Sequence, residues 1–206
     1  MTEQDKISEM TCFLIGDSSV GKTSMLKRYK KLDISDFHVA TIGIEKYEKK
    51  IKIKGSKNEI KFEIIDSSGQ ERYKAIVNNY YRITDGIILM YDVTNRESFE
   101  HLEFWIEDIK EKSKPNIPIY LIGNKTDLDE REIKIDEGKK LADKHGYKFI
   151  ETSVLLDKKV KEIFEDISQD IYTYKIACQK DNVTHKLDIE IVKKKKNRGN
   201  CCNRTG

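Results

Sequence analysis

"GDSSVGKT", Gly16–Thr23, follows the β-rich run "TCFLIG" and precedes a helical stretch. It matches G-x-x-x-x-G-K-[ST] in the strand–turn–helix setting that the pattern requires. Glycines let the backbone fold so that its N–H groups point at phosphate oxygens. The start of the following helix adds partial positive charge. On this reading Lys22 reaches the β- and γ-phosphates, and the Thr23 hydroxyl binds Mg²⁺.

Outward from that loop the pattern alternates. Short β-rich runs occur at "TCFLIG", "IKIKG", "KFEIID", "GIILMYD", "IPIYLIGNK" and "YKFIET". Helical stretches lie between them. "RESFEHLEFWIEDIKEK" carries Phe99, Leu102, Trp105, Ile106 and Ile109 at helix-face spacing, with Thr94 and Glu97 set as a capping box. A last helix carries Val160, Ile163, Phe164, Ile167 and Ile171 on one stripe. "KGSKNE" reads as a hairpin turn. Together these predict an α/β domain: a mostly parallel six-stranded sheet with one antiparallel hairpin strand and helices on both faces. Periodicity predicts a domain over 10–177, after a flexible 1–9 and before a disordered basic tail over 178–206.

In such sheets ligands bind where strands end at their carboxyl side. After "KFEII" stands Asp66, placed to hold Mg²⁺ through water, then Ser67, Ser68, Gly69 and Gln70. Gly69 lets a backbone N–H approach a γ-phosphate, and Gln70 can orient an attacking water. After "IPIYLIG" comes "NKTD", Asn124–Asp127. A carboxylate there accepts both guanine N1–H and the 2-amino group. Adenine lacks that donor pair and would leave a desolvated charge unpaired, so GTP is selected over ATP. "ETS", Glu151–Ser153, offers backbone N–H groups to the guanine oxygen, and Thr41 offers a second hydroxyl to Mg²⁺.

The composition excludes other classes. The 206 residues include 36% charged and carry a formal +3. Lys193, Lys194, Lys195, Lys196, Arg198 and Arg204 give the last stretch +6 with no acid, which leaves −3 on the body. Such a tail suits an anionic membrane surface. No aromatic interleaving supports nucleic acid as a partner. Four cysteines in no framework spacing make a reducing intracellular compartment the default. The opening "MTEQDKISEM" has no apolar signal region, and Thr2 excludes N-myristoylation.

"GDSSVGKT", Thr41, "DSSGQ", "NKTD" and "ETS" occur in order, accompanied by "GQERY", "NNYYR" and "DGIILMYDVTNRESFE". The chain thereby resembles the Ras-superfamily small GTPases, and among them the Rab family, over roughly residues 10–175. That resemblance implies a slow GTPase that switches between GTP and GDP states to direct vesicle traffic. Ser18, Ser19, Val20, Gly21, Lys22, Thr23 and Ser24 would wrap the phosphates. Thr23 and Thr41 would ligate Mg²⁺, supported by Asp66, and Gly69 would sense the γ-phosphate. Asn124, Lys125 and Asp127 would read guanine beside Ser153, Val154 and Leu155, and Gln70 would position the water. It further implies an exchange factor, a GAP, a GDI or escort-type chaperone, effectors, and a monomer cycling between cytosol and the cytoplasmic face of a membrane. Cys201 and Cys202 in "CCNRTG" would carry two geranylgeranyl groups.

Several positions depart from the family. Ser67 and Ser68 replace the Thr and Ala of "DTAGQ". Ile65 and Lys46 stand where Rabs carry effector-facing Trp and Phe. Leu155 replaces a Lys whose stem covers the base, and Ile34 replaces a guanine-packing aromatic. Two outcomes stay open: a looser guanine edge with faster exchange, or equivalent apolar cover from Leu155 and Phe37. The alternatives for function are a weakly hydrolysing, effector-recruiting scaffold, motivated by Ser68, and a signalling GTPase of another Ras branch.

Overall fold

All but the first residue of the strand Glu9–Ile15 (β1) are buried, as an apolar run covered on both faces should be. The computed structural model describes residues 7–32, 44–67 and 74–199, with side chains described over 7–32, 44–67 and 78–180. In chain order the elements are β1, α1 (Lys22–Tyr29), β2 (Ile44–Ile51), β3 (Ile60–Ser67), α2 (Lys74–Ile83) and β4 (Gly86–Asp92). There follow α3 (Arg96–Glu100), α4 (Leu102–Lys112), β5 (Ile119–Asn124), α5 (Ile135–His145), β6 (Lys148–Glu151) and α6 (Val160–Gly199).

The sheet order is β2-β3-β1-β4-β5-β6. Every pair is parallel except β2–β3, which is antiparallel. Alternate β1 residues serve two separate cores. Met10, Cys12 and Leu14 pack with Met25, Leu26, Ile163, Phe164 and Ile167 of α1 and α6. Phe13 and Ile15 pack with Tyr81, Leu102, Trp105, Ile106 and Ala142 of α2, α4 and α5. The expected two-faced α/β sheet is thus present. Strand order reverses at β1, so the crevice beyond its carboxyl end is the place for a ligand.

Three local expectations need correction. The second strand is "IEKYEKKI" rather than "IKIKG". Five of its eight residues are charged, so no apolar alternation marks it, and its ladder to β3 fixes it from Ile44↔Ser67 to Ile51↔Ile60. The expected single helix after β4 is two, parted at His101. The N-cap of α3 is Asn95, whose side chain accepts the Ser98 N–H, while Thr94 bonds Asp92 instead. In addition, the α6 backbone continues through Gly199, although among the described side chains its buried stripe ends at Tyr172. Among the described residues no helix is long and apolar enough to cross a membrane.

Candidate functional site

The loop between β1 and α1 is shaped by two glycines. Gly16 has φ 133°, and a Cβ there would meet the Met90 carbonyl oxygen at 2.2 Å. Gly21, the N-cap of α1, has φ 104°, and a Cβ would meet Asn124 Nδ2 at 2.3 Å. No acidic residue occupies the first turn of α1, which leaves its N-terminal field to an anion. Lys22 is buried at 4% exposure. Its Nζ donates to the carbonyls of Gly16 (2.8 Å) and Asp17 (2.5 Å). Burial lowers its pKa to about 8, opposed by the Asp66 and Asp17 carboxylates.

Beside this loop β3 delivers Asp66, which is fully buried. Thr23 Oγ1 donates to Asp66 Oδ2 at 2.5 Å. The other oxygen, Oδ1, is buried without a hydrogen-bond partner. Such an orphan is costly unless something occupies its lone pairs. Burial pushes the Asp66 carboxyl up to about 6, against the lowering effects of the Thr23 hydrogen bond and the Lys22 charge. A hydroxyl, an underused carboxylate oxygen and low solvent access suit a hard, oxygen-seeking dication such as Mg²⁺. Ser67, the first departure from the family pattern, is buried, and its hydroxyl donates to the Leu14 carbonyl across the β3–β1 boundary at 2.9 Å.

The ends of β5 and β6 close the site from the other side. Asn124 is buried, and its Nδ2 donates to the Val20 carbonyl at 2.8 Å. Its Oδ1 accepts the Val154 N–H at 3.1 Å. Asn124 therefore brackets the phosphate loop to the segment after β6, and the Val154 N–H expected at the base is spent inside the protein. Lys125 sits at φ 69° and pairs with Asp92 at 2.5 Å. Asp127 accepts a hydrogen bond from the Ser153 hydroxyl. Leu155 lies 56% exposed, and its carbonyl accepts Arg28 Nη2 at 2.7 Å, while Val154's accepts Arg28 Nε at 3.1 Å.

The structure brings together Lys22, Thr23, Asp66, Asn124, Lys125, Asp127, Ser153 and Val154 at the carboxyl ends of β1, β3, β5 and β6. Thr41, Gly69, Gln70, Ile34, Phe37, Ser68, Cys201 and Cys202 lie outside the described residues. Sequence reasoning missed Asp92, although it ends β4, the position that was searched on β1, β3, β5 and β6. It also missed Arg28, for which one sequence holds no signal, since its partners lie 126 and 127 residues away. A second cleft, lined by Ile117, Ile119 and Tyr147, opens at the amino ends of β5 and β6 and holds no motif residue.

A mostly parallel sheet with a glycine-shaped phosphate loop at its switch point, an Asp behind it and "NKTD" across it defines a Ras-like P-loop GTPase domain. The comparisons agree. Residues 11–173 match the Ras family profile. The chain is 37% identical over 195 residues to the Ras-related protein RABA5d of Arabidopsis thaliana, covering 93% of this chain and 88% of the relative. It is 44% identical over 168 residues to the Ras-related protein Rab-3 of Caenorhabditis elegans, covering 81% and 73%. It is 40% identical over 159 residues to the Ras-related protein Rab-13 of Bos taurus, covering 77% of each. The chain belongs to the Ras family, as a Rab-type small GTPase.

Proposed function

We propose that this chain is a GTP/GDP switch that directs vesicle traffic. The observation that supports it most is the Asn124 bracket. It holds Val20 of the phosphate loop and Val154 after β6 at once, which supports reading Lys22 and Asp127 as serving one ligand. Phosphate recognition and guanine recognition then act on one ligand. Thr23, Thr41 and Asp66 would hold Mg²⁺, which when bound would neutralise phosphate charge. Ser18–Ser24 supply phosphate contacts, and Asp127, positioned by Ser153, accepts the guanine donors. Gly69 senses the γ-phosphate, and Gln70 orients the attacking water. Hydrolysis is slow alone and awaits a GAP, and an exchange factor resets the GTP state. Lys46 pairs with Glu63 at 3.3 Å and lies 5.3 Å from the Tyr80 ring centroid, while Ile65 is buried. This face therefore favours effectors that read charge rather than the usual aromatics.

Competition against fluorescent GDP in Mg²⁺ tests the reading. GTP and GDP should displace the probe, and ATP should be weaker by roughly 10⁴-fold. Asp127→Ala should erase most of that gap. ATP competing equally with GTP would refute the guanine reading. Single-turnover hydrolysis beside Gln70→Leu then separates switch from scaffold, since equal rates favour the weakly hydrolysing scaffold.

A further inference from the structure

Asp17 is the first residue after Gly16 in the phosphate loop, and both of its side-chain oxygens are held by one stretch of helix. Trp105 Nε1 donates to Oδ1 at 2.8 Å, and His101 Nδ1 meets Oδ2 at 2.8 Å. A carboxylate only accepts, so His101 carries its proton on Nδ1. His101 and Trp105 are one turn apart, and the Trp105 N–H bonds the His101 carbonyl at 3.3 Å. That turn is rigid, because Leu102, Trp105, Ile106 and Ile109 are buried in the second core. The main chain of Asp17 does a different task. Its carbonyl, with that of Gly16, accepts Lys22 Nζ. The same residue thus joins the α3–α4 junction to the phosphate-facing lysine.

We propose that Asp17, His101 and Trp105 are positioning residues that clamp the phosphate loop and so slow the departure of bound nucleotide. The clamp acts through Lys22 and rests on the reading of this loop as a guanine nucleotide site. Freed from it, the Asp17 carbonyl moves, and Lys22 loses one of the two acceptors that aim its amine. Asp17 is partly exposed and charged, so each bond is charge-assisted and directional.

Release of fluorescent GDP into excess unlabelled GDP, with Mg²⁺ present, tests the clamp on the full chain. Asp17→Ala removes both bonds and should speed release by about 10-fold or more, since each is a hydrogen bond to a charged group. Trp105→Phe keeps a ring in the core and removes one of the two donors, and it should give a smaller rise in the same direction. The double variant should release no faster than Asp17→Ala, since Trp105 has lost its acceptor once the carboxylate is gone. Asp17→Asn keeps an oxygen for Trp105 and offers N–H to His101 in its other tautomer, and it should stay within about 2-fold of the wild type. Trp105 is the single tryptophan, so its emission should change on Asp17→Ala while circular dichroism does not. If Trp105→Phe fails to fold, the two Asp17 variants still decide. Wild-type release from Asp17→Ala, or release from Asp17→Asn as fast as from Asp17→Ala, overturns the clamp. A wild-type chain that holds no GDP overturns the nucleotide reading and the clamp with it.

Discussion

Ser19 sits at φ 64°, in the left-handed region, at the crown of the phosphate loop. A side chain there crowds the following carbonyl, at a cost of about 1–2 kcal/mol. Glycine would remove that cost but lose about 0.5–1 kcal/mol through a freer unfolded chain. Ser19→Gly should therefore raise the melting temperature by about 1–3 °C at this chain length. An unchanged or lower midpoint in differential scanning calorimetry would show that the loop carries no such strain. At this scale the sequence was legible wherever a residue's position follows from its place after a strand. Lys22, Thr23, Asp66 and Asp127 are of that kind. Partnerships across the chain were not legible. Asp17 meets Trp105 across 88 residues, and nothing local to either marks the other. The bonds from the Asn124 amide to Val20 and Val154 span 104 and 30 residues and were equally invisible.

Elements are tied together by Asp85, which precedes β4 and is 5% exposed. Its Oδ2 accepts the Thr11 N–H of β1 at 3.2 Å and Lys175 Nζ of α6 at 2.7 Å. Its Oδ1 accepts Lys114 Nζ at 2.9 Å from the turn before β5. One carboxylate thus fixes the central strand, the next connection and the last helix. Both lysines are partly exposed, so they regain water when the charge is removed, which softens the usual loss for a broken buried pair. Asp85→Asn should cost about 2 kcal/mol and lower the melting temperature by about 4–8 °C. A change under about 1 °C would mean that the hub adds no net stability. Periodicity found β1, β4, β5 and the α6 stripe because each buries a continuous or helical apolar pattern. It misplaced β2 because an edge strand needs only backbone pairing, and it read α3 and α4 as one helix because their buried stripe crosses His101 without a break.

At the scale of the whole molecule, charge and burial point in the same direction. Among the described side chains the buried stripe of α6 ends at Tyr172, while the basic run Lys193–Lys196 and the pair Cys201 and Cys202 lie far beyond it in sequence. The acidic body repels an anionic leaflet, and the basic run is attracted to it at about 1 kcal/mol per cation near the surface. Attraction of that kind is screened by salt and does not hold a protein through a wash. One lipid chain gives marginal, reversible binding, whereas two chains with a polybasic patch anchor firmly. Fractionation of cells expressing tagged variants should follow that hierarchy. The unaltered chain should pellet with membranes and resist high salt. Single Cys201→Ser or Cys202→Ser chains should divide between pellet and cytosol, and the division should shift further toward cytosol as salt rises. The double Ser chain should remain in the cytosol at physiological ionic strength, with its guanine nucleotide affinity unchanged. With both cysteines intact, replacing Lys193–Lys196 with Gln should leave the chain on membranes but reduce its preference for anionic ones. A double Ser chain distributed like the unaltered one would refute a lipid anchor at Cys201 and Cys202 and leave the nucleotide proposal standing.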